Sequence, residues 1–230
     1  MLCLRVLRAQ FLSKLFIWLP LIILIPPSSF STPNFEKFSS IVSSQYGVST
    51  NLLASQFVTL ISSLTNADTG TKINEINDFF NSNIKFTDDI ILWGEEDYWA
   101  SPLETIAKGA GDCEDFTIAK FVALRLLEIP LDKLRLTYVK VKIGGPTSNI
   151  SMPHMVLSYY DSPSSIPLIL DNLSPVVKSA NQRPDLTPVF GFNSEKLWVG
   201  GTNNASGYDP KSRISRWQKT LVKIHNEGLD

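Results

Sequence analysis

Apolar positions along the chain follow one spacing before Pro130 and another after it. In the first part they recur every three or four residues, which is the helical period. Phe35, Phe38, Ile41 and Val42 share one side of a short helix from Phe35 to Tyr46. A second helix is expected over Thr50 to Leu64, capped by Ser49 or Thr50 and broken at Asp68-Thr69-Gly70. A third runs from Thr71 to Asn83, with Ile73, Ile76, Phe79 and Phe80 at helical spacing. Ile84 to Leu92 reads as irregular or as a short strand, and Trp93 to Pro102 as a loop carrying Glu95, Glu96 and Asp97. Leu103 to Lys108 gives one or two helical turns.

Two glycines, Gly109 and Gly111, then lead into Asp112-Cys113-Glu114-Asp115. The segment after them is apolar on most faces of a helix: Phe116, Ile118, Ala119, Phe121, Val122, Ala123, Leu124, Leu126 and Leu127. A helix without a polar face belongs in the centre of a fold. Asp112 is its natural N-cap, Asp115 stands where a capping box places an acid, and Ile129-Pro130 ends it.

Beyond Pro130 the period becomes two. Leu134, Leu136, Tyr138, Lys140 and Lys142 alternate with Arg135, Thr137, Val139, Val141 and Ile143 until Gly144-Gly145-Pro146. Met155 to Tyr160 and Ile166 to Leu170 are further strands around an Asp161-to-Ser165 turn. The stretch from Val189 through Trp198 adds another, and Trp217 to His225 a terminal helix. Helices first and antiparallel strands later define an α+β fold.

Composition changes this picture at one end only. Charges nearly cancel, with 21 Lys+Arg against 22 Asp+Glu, so nothing points to a nucleic-acid partner. Residues 1–30 differ from the rest. Arg5, Arg8 and Lys14 precede an uncharged run from Leu15 to Ile25, followed by Pro26-Pro27-Ser28-Ser29. That is the layout of a signal peptide cut between Ser28 and Thr32. An uncleaved N-terminal anchor is the other reading, and the only route to a membrane. Residues 31–230 are then a single domain. Removal of Cys3 with the leader leaves Cys113 as the sole thiol of an exported chain. It is either a buried structural cysteine or a reactive one. The first position of a helix favours the thiolate.

A cysteine nucleophile needs an imidazole to take its proton and a carboxylate to orient the imidazole. The chain has 2 histidines, and His225 lies near its end, so His154 is the candidate base. A hairpin with a loop from Asp161 to Ser164 would set His154 directly opposite Asp171. The same pairing also suits a strand-end histidine bonded to a buried aspartate for stability alone. Asp112, Glu114 and Asp115 crowd carboxylates beside the thiol. Their charge opposes ionisation of the sulfur. An acid preference at a helix start accounts for them, and so does a bound calcium ion, with further oxygens from the Glu95-Glu96-Asp97 loop.

Gly-Asp-Cys-Glu-Asp-Phe at 111–116, His-Met-Val-Leu at 154–157 and Leu-Asp-Asn at 170–172 together resemble the bacterial transglutaminase-like cysteine proteinases, the LapG-type periplasmic proteases. Trp99-Ala-Ser-Pro-Leu-Glu104 and Lys133-Leu-Arg-Leu136 also fit. The resemblance implies a papain-like fold and a Cys113–His154–Asp171 triad. It implies a calcium site involving Asp112 and Glu114 on which activity depends. Its expected substrate is a large surface adhesin, cut near its N-terminus at a pair of small residues to release a biofilm. Its expected inhibitor is the periplasmic domain of a cyclic di-GMP receptor. Transglutaminase-like acyl transfer and a non-catalytic calcium-binding module remain as alternatives.

Overall fold

The computed structural model describes residues 33–47, 50–145 and 147–230. The leader, Cys3 and the alternative cap Ser49 lie outside the described residues. Three helices open the described chain: α1 (Phe35–Tyr46), α2 (Asn51–Leu64) and α3 (Thr69–Asn83). Asn34 caps α1 by accepting from the Lys37 N–H at 2.8 Å, and Asp68 caps α3 by accepting from Thr71 at 3.0 Å. Phe38, Phe57 and Phe80, one from each helix, are fully buried and pack ring against ring at 5.9 and 6.0 Å. Full burial of each such side chain stabilises by about 1.5–3 kcal/mol.

The segment between α3 and the central helix is more structured than its composition predicts. It contains β1 (Lys85–Phe86), α4 (Asp89–Leu92), α5 (Pro102–Lys108) and β2 (Ala110–Gly111). The expected short strand is confined to two residues, and Asp89–Leu92 is a helical turn instead. Its Ile-Ile-Leu run is too short to display any period. β1 pairs with β2 in parallel, Lys85 with Ala110 and Phe86 with Gly111. α5 starts with a full capping box between Ser101 and Glu104, with Pro102 at its first position, and ends on Gly109 at φ 60°. Only glycine adopts that left-handed conformation without cost.

The central helix α6 (Cys113–Leu126) is buried without interruption from Asp115 to Leu124. It lies between α3 and a six-stranded antiparallel sheet. The strands are β3 (Leu134–Lys142), β4 (Ser151–Tyr159), β5 (Leu168–Leu170), β6 (Lys178–Ser179), β7 (Leu186–Phe192) and β8 (Leu197–Val199). Their spatial order is β6-β5-β4-β3-β7-β8. Leu134, Leu136, Met155, Leu157, Leu170 and Phe192 join the core around α6. The opposite face carries a smaller cluster of Val139, Val156 and Ile169. Two short helices, α7 (Pro210–Arg213) and α8 (Ser215–Asn226), end the chain. Trp217 of α8 is wholly buried, edge-on to Phe121 at 5.6 Å and Phe192 at 5.7 Å, and so locks the C-terminus onto α6.

The β4–β5 register corrects one expectation. Leu157 pairs with Leu170 and Tyr159 with Leu168, so the connection is longer than the expected four-residue loop. The slip is two residues along the ladder. A slip of two keeps every side chain on its face, whereas a slip of one would invert them. His154 and Asp171 therefore meet diagonally rather than directly across.

Candidate active site

Asp112 begins α6 as read from the sequence. Its carboxylate accepts the Glu114 N–H at 3.1 Å, and Asp115 reaches back to the Asp112 N–H at 3.3 Å. A Cβ on Gly111 would lie 2.7 Å from the Cβ of Asp115, so only glycine lets the chain pass that close to the cap. Cys113 occupies the first helical position and is partly exposed. Two turns of α6 are tied to β4 next to His154. The Thr117 hydroxyl donates to the Met155 carbonyl at 3.1 Å, and the Met155 N–H faces the Cys113 sulfur.

Thiolate character is not what this geometry gives Cys113. Burial pushes the thiol well up, the charge and hydrogen bond of Glu114 push it further, and Asp112 adds to both. The sulfur donates to Glu114 Oε2 at 2.7 Å. The helix N-terminus is outweighed because burial and the two neighbouring carboxylates all disfavour the thiolate.

His154, on β4, is 5% exposed and Asp171, just past β5, is 1% exposed. The imidazole Nε2 lies 2.8 Å from Asp171 Oδ1. That bond leaves Nδ1 as the nitrogen available to a proton donor. Asp171 is held from three further directions. Its Oδ1 accepts the Leu173 N–H at 2.9 Å, its Oδ2 lies 2.7 Å from Arg183 Nη1, and its carbonyl accepts from Asn81 Nδ2 at 2.9 Å. Burial alone would raise its pKa, but His154, Leu173 and Arg183 overturn that and hold it at about 2. The carboxylate is ionised throughout the neutral range. His225, by contrast, is exposed and pairs with Asp230.

A buried lysine supports this arrangement from behind. Lys120 of α6 is 1% exposed, and its Nζ donates to Asn77 at 2.9 Å and Asn81 at 2.7 Å. Asn81 then donates to the carbonyls of Asp171 and Ser174. Burial lowers the Lys120 pKa to about 7, against the pull of Asp171. Asn77, Asn81, Lys120 and Arg183 were not singled out from the sequence. Lys120 alone left a local sign, as the one basic residue within the run Phe116 to Leu124.

Carboxylates gather on the other side of Cys113. Oxygens of Asp89, Asp112 and Asp115 lie within 4.8 Å of one another, and Asp112, Cys113 and Glu114 form a second group at the same spacing. The parallel β1–β2 pair brings Asp89 there, with the Thr87 N–H bonded to the Gly111 carbonyl at 3.0 Å. Burial and the charge of Asp112 raise Asp89 to about 6, while burial and the charge of Glu114 raise Asp112 to about 7. Burial first, then Asp112, pushes Asp115 well above the usual carboxylate range. Asp89 Oδ1 is buried with no hydrogen-bond donor. Acids this close, with an orphaned oxygen, match the donor set of a hard divalent cation. Asp115 is the most committed of them, since its two oxygens already accept from Ala100 and Asp112. The Glu95-Glu96-Asp97 loop does not join the cluster as expected. Glu95 and Glu96 are exposed, and Asp97 pairs with Arg216 at 2.8 Å. Trp99 of that region is core, stacked on Phe192 at 5.9 Å.

The family model for bacterial transglutaminase-like cysteine proteinase (BTLCP) matches residues 56–185, which contain α6, β3 to β5 and the whole carboxylate cluster. The chain belongs to this family. Solved structures of LapG from Legionella pneumophila share its fold. The EGTA-treated form is 36% identical, with TM-score 0.71 over 84% of this chain and 99% of that one. The calcium-bound form is 35% identical, with TM-score 0.71 over 83% of this chain and 99% of that one. No curated protein sequence gives a match. The family is one of cysteine proteinases, and the α+β, transglutaminase-like fold expected from the sequence is the one found.

Proposed function

We propose that this chain is an exported, calcium-dependent cysteine endopeptidase of the periplasm. In this reading residues 31–230 are the proteinase domain and residues 1–30 the leader or anchor. Cys113 attacks the scissile carbonyl. His154 takes the thiol proton at Nδ1 and later returns it to the leaving amine, while Asp171 fixes the tautomer and stabilises the imidazolium. The Cys113 backbone N–H, at the start of α6, is one donor to the oxyanion. The observation that carries this reading is the buried 2.8 Å contact between His154 Nε2 and Asp171, one residue from the strand position facing the sulfur. A purely structural histidine–aspartate pair would keep this contact but would not need the sulfur beside it.

Asp89, Asp112, Glu114 and Asp115 would hold a calcium ion, which would supply the positive charge this cluster lacks. LapG has been solved both calcium-bound and EGTA-treated, which supports the same ion here. Glu114 carries a special weight, because its Oε2 accepts the thiol hydrogen of Cys113 at 2.7 Å. Were Glu114 one of the residues holding a cation, its contact with the thiol would be relieved and the sulfur left available to His154.

We infer that the substrate is a large cell-surface adhesin, cut near its N-terminus to release it and disperse a biofilm. The proposed regulator is the periplasmic domain of a cyclic di-GMP receptor. The test is to incubate the purified protein with an adhesin N-terminal fragment, with and without a calcium chelator. Cleavage in calcium only is expected, and His154→Ala should abolish it while calcium binding persists. Cleavage retained by that variant removes His154 from the mechanism. Product masses with a glutamine peptide and an added amine separate hydrolysis from acyl transfer.

A further inference from the structure

A cavity of about 380 Å³ opens on the face of the sheet turned away from α6. Neither Cys113 nor His154 lines it. Its volume is that of a small-ligand site. Arg135 of β3 stands in its wall and is 4% exposed. The guanidinium is sandwiched between Tyr160, at 3.9 Å from the ring centre, and Trp198, at 4.1 Å. Nη1 donates to the Thr202 carbonyl at 3.2 Å, but Nε is buried with no acceptor. Among the described residues, the polar groups that meet this arginine are a phenol and a carbonyl, both neutral at physiological pH. Tyr160 is held neutral there, because burial raises its pKa more than Arg135 lowers it.

The second arginine in the wall behaves differently. Arg183 lies 2.7 Å from Asp171 and 2.7 Å from Asp185, so its charge is matched. Among the described residues, Arg135 thus leaves one buried positive charge with no carboxylate partner at an open cavity. Such a charge is costly unless an anion meets it. Two aromatic rings hold the guanidinium plane fixed, which pre-organises it for a planar acceptor. Val139, Val156 and Ile169 supply an apolar floor.

We propose that this cavity is a binding site for a carboxylate carried on a small apolar or aromatic body, read by Arg135. The carboxylate could end a peptide, belong to an acidic side chain, or be that of a free organic acid. The site is separate from the cysteine, so it does not depend on the protease reading.

Binding is followed by tryptophan fluorescence of the purified protein, since Trp198 is in the wall. The probes are 3-phenylpropionate, the dipeptide Ala-Phe, and acetyl-Glu-Phe-amide, each beside its uncharged amide counterpart. At least one carboxylate should bind saturably below about 1 mM, with its amide at least tenfold weaker. Which probe binds tightest identifies the source. Arg135→Lys keeps the charge but not the fork, and should weaken binding at least tenfold, while Arg135→Met should remove it. A thermal melt of each variant separates lost binding from lost folding. Should Arg135→Met fail to fold, the Arg135→Lys comparison decides alone. Equal binding of acid and amide, unchanged binding by a folded variant, or no binding of any probe at 10 mM would show a structural arginine and overturn the proposal.

Discussion

Replacing Asp171 by Asn tests the proposed triad with almost no change of shape. The wild-type carboxylate accepts from His154 and Leu173 through Oδ1 and faces Arg183 through Oδ2. An amide offers one acceptor and one donor in place of two acceptors. If its NH2 faces Arg183, donor meets donor. If it turns round, the NH2 faces His154 Nε2, and the imidazole must carry its proton on Nδ1. That tautomer cannot accept the thiol proton. Breaking a buried ion pair by removing one partner costs about 3–5 kcal/mol, and Arg183 keeps Asp185, so about 3 kcal/mol is expected. At about 2–4 °C per kcal/mol for a domain of this size, the melting temperature falls by about 6–12 °C. The turnover number should fall by on the order of 10²–10⁴. Because the folded pKa of about 2 lies below the ordinary value, the stabilisation is present above the ordinary carboxylate pKa. It is lost as pH drops from about 4 towards 2, so the two proteins should converge in stability there. Single-turnover cleavage of an adhesin fragment and thermal unfolding between pH 3 and 8 measure both quantities. A variant with more than a tenth of wild-type turnover and an unmoved melting temperature refutes the assigned role of Asp171.

Calcium affinity should weaken as pH falls from about 7 to 6, because protons on Asp112 and Asp89 compete with the ion. Calorimetric titration across that range checks it, and a pH-independent affinity rules the cluster out. Iodoacetamide should label Cys113 slowly in chelator and at least tenfold faster with calcium, since Glu114 then no longer holds the thiol. Equal rates mean that Glu114 does not restrain the sulfur. Lys120→Met should lower the melting temperature, because the side-chain oxygens of Asn77 and Asn81 lose their donor. Its turnover should also fall about tenfold at unchanged KM, through the loosened Asn81–Asp171 turn, and wild-type turnover would free Lys120 of any positioning role.

Local signals in the sequence carried much of this fold. The span of α1 follows from its apolar spacing, and the start of α6 from the Asp112 and Asp115 caps. His154 and Asp171 were legible because strand faces alternate, and a two-residue error in register preserves the face. Asp89, Asn81 and Arg183 were not legible because nothing near them in the chain marks their partners. Asn81 reaches carbonyls 90 and 93 residues away, and Asp89 meets Asp112 only through a two-residue parallel bridge. For the thiol, the opposing carboxylates were legible but the effect of burial was not. The helix end is visible locally, whereas the depth at which Cys113 is packed is not.

That bridge between β1 and β2 has a mechanical consequence. Everything from Thr87 to Gly109 is an excursion whose two ends touch at four residues. An ion shared by Asp89 and Asp112 would rivet those ends from outside the ladder. In a medium rich in free divalent ions the excursion should exchange its amide hydrogens slowly. In a depleted one it should breathe, and the helix bearing the sulfur would inherit the looseness.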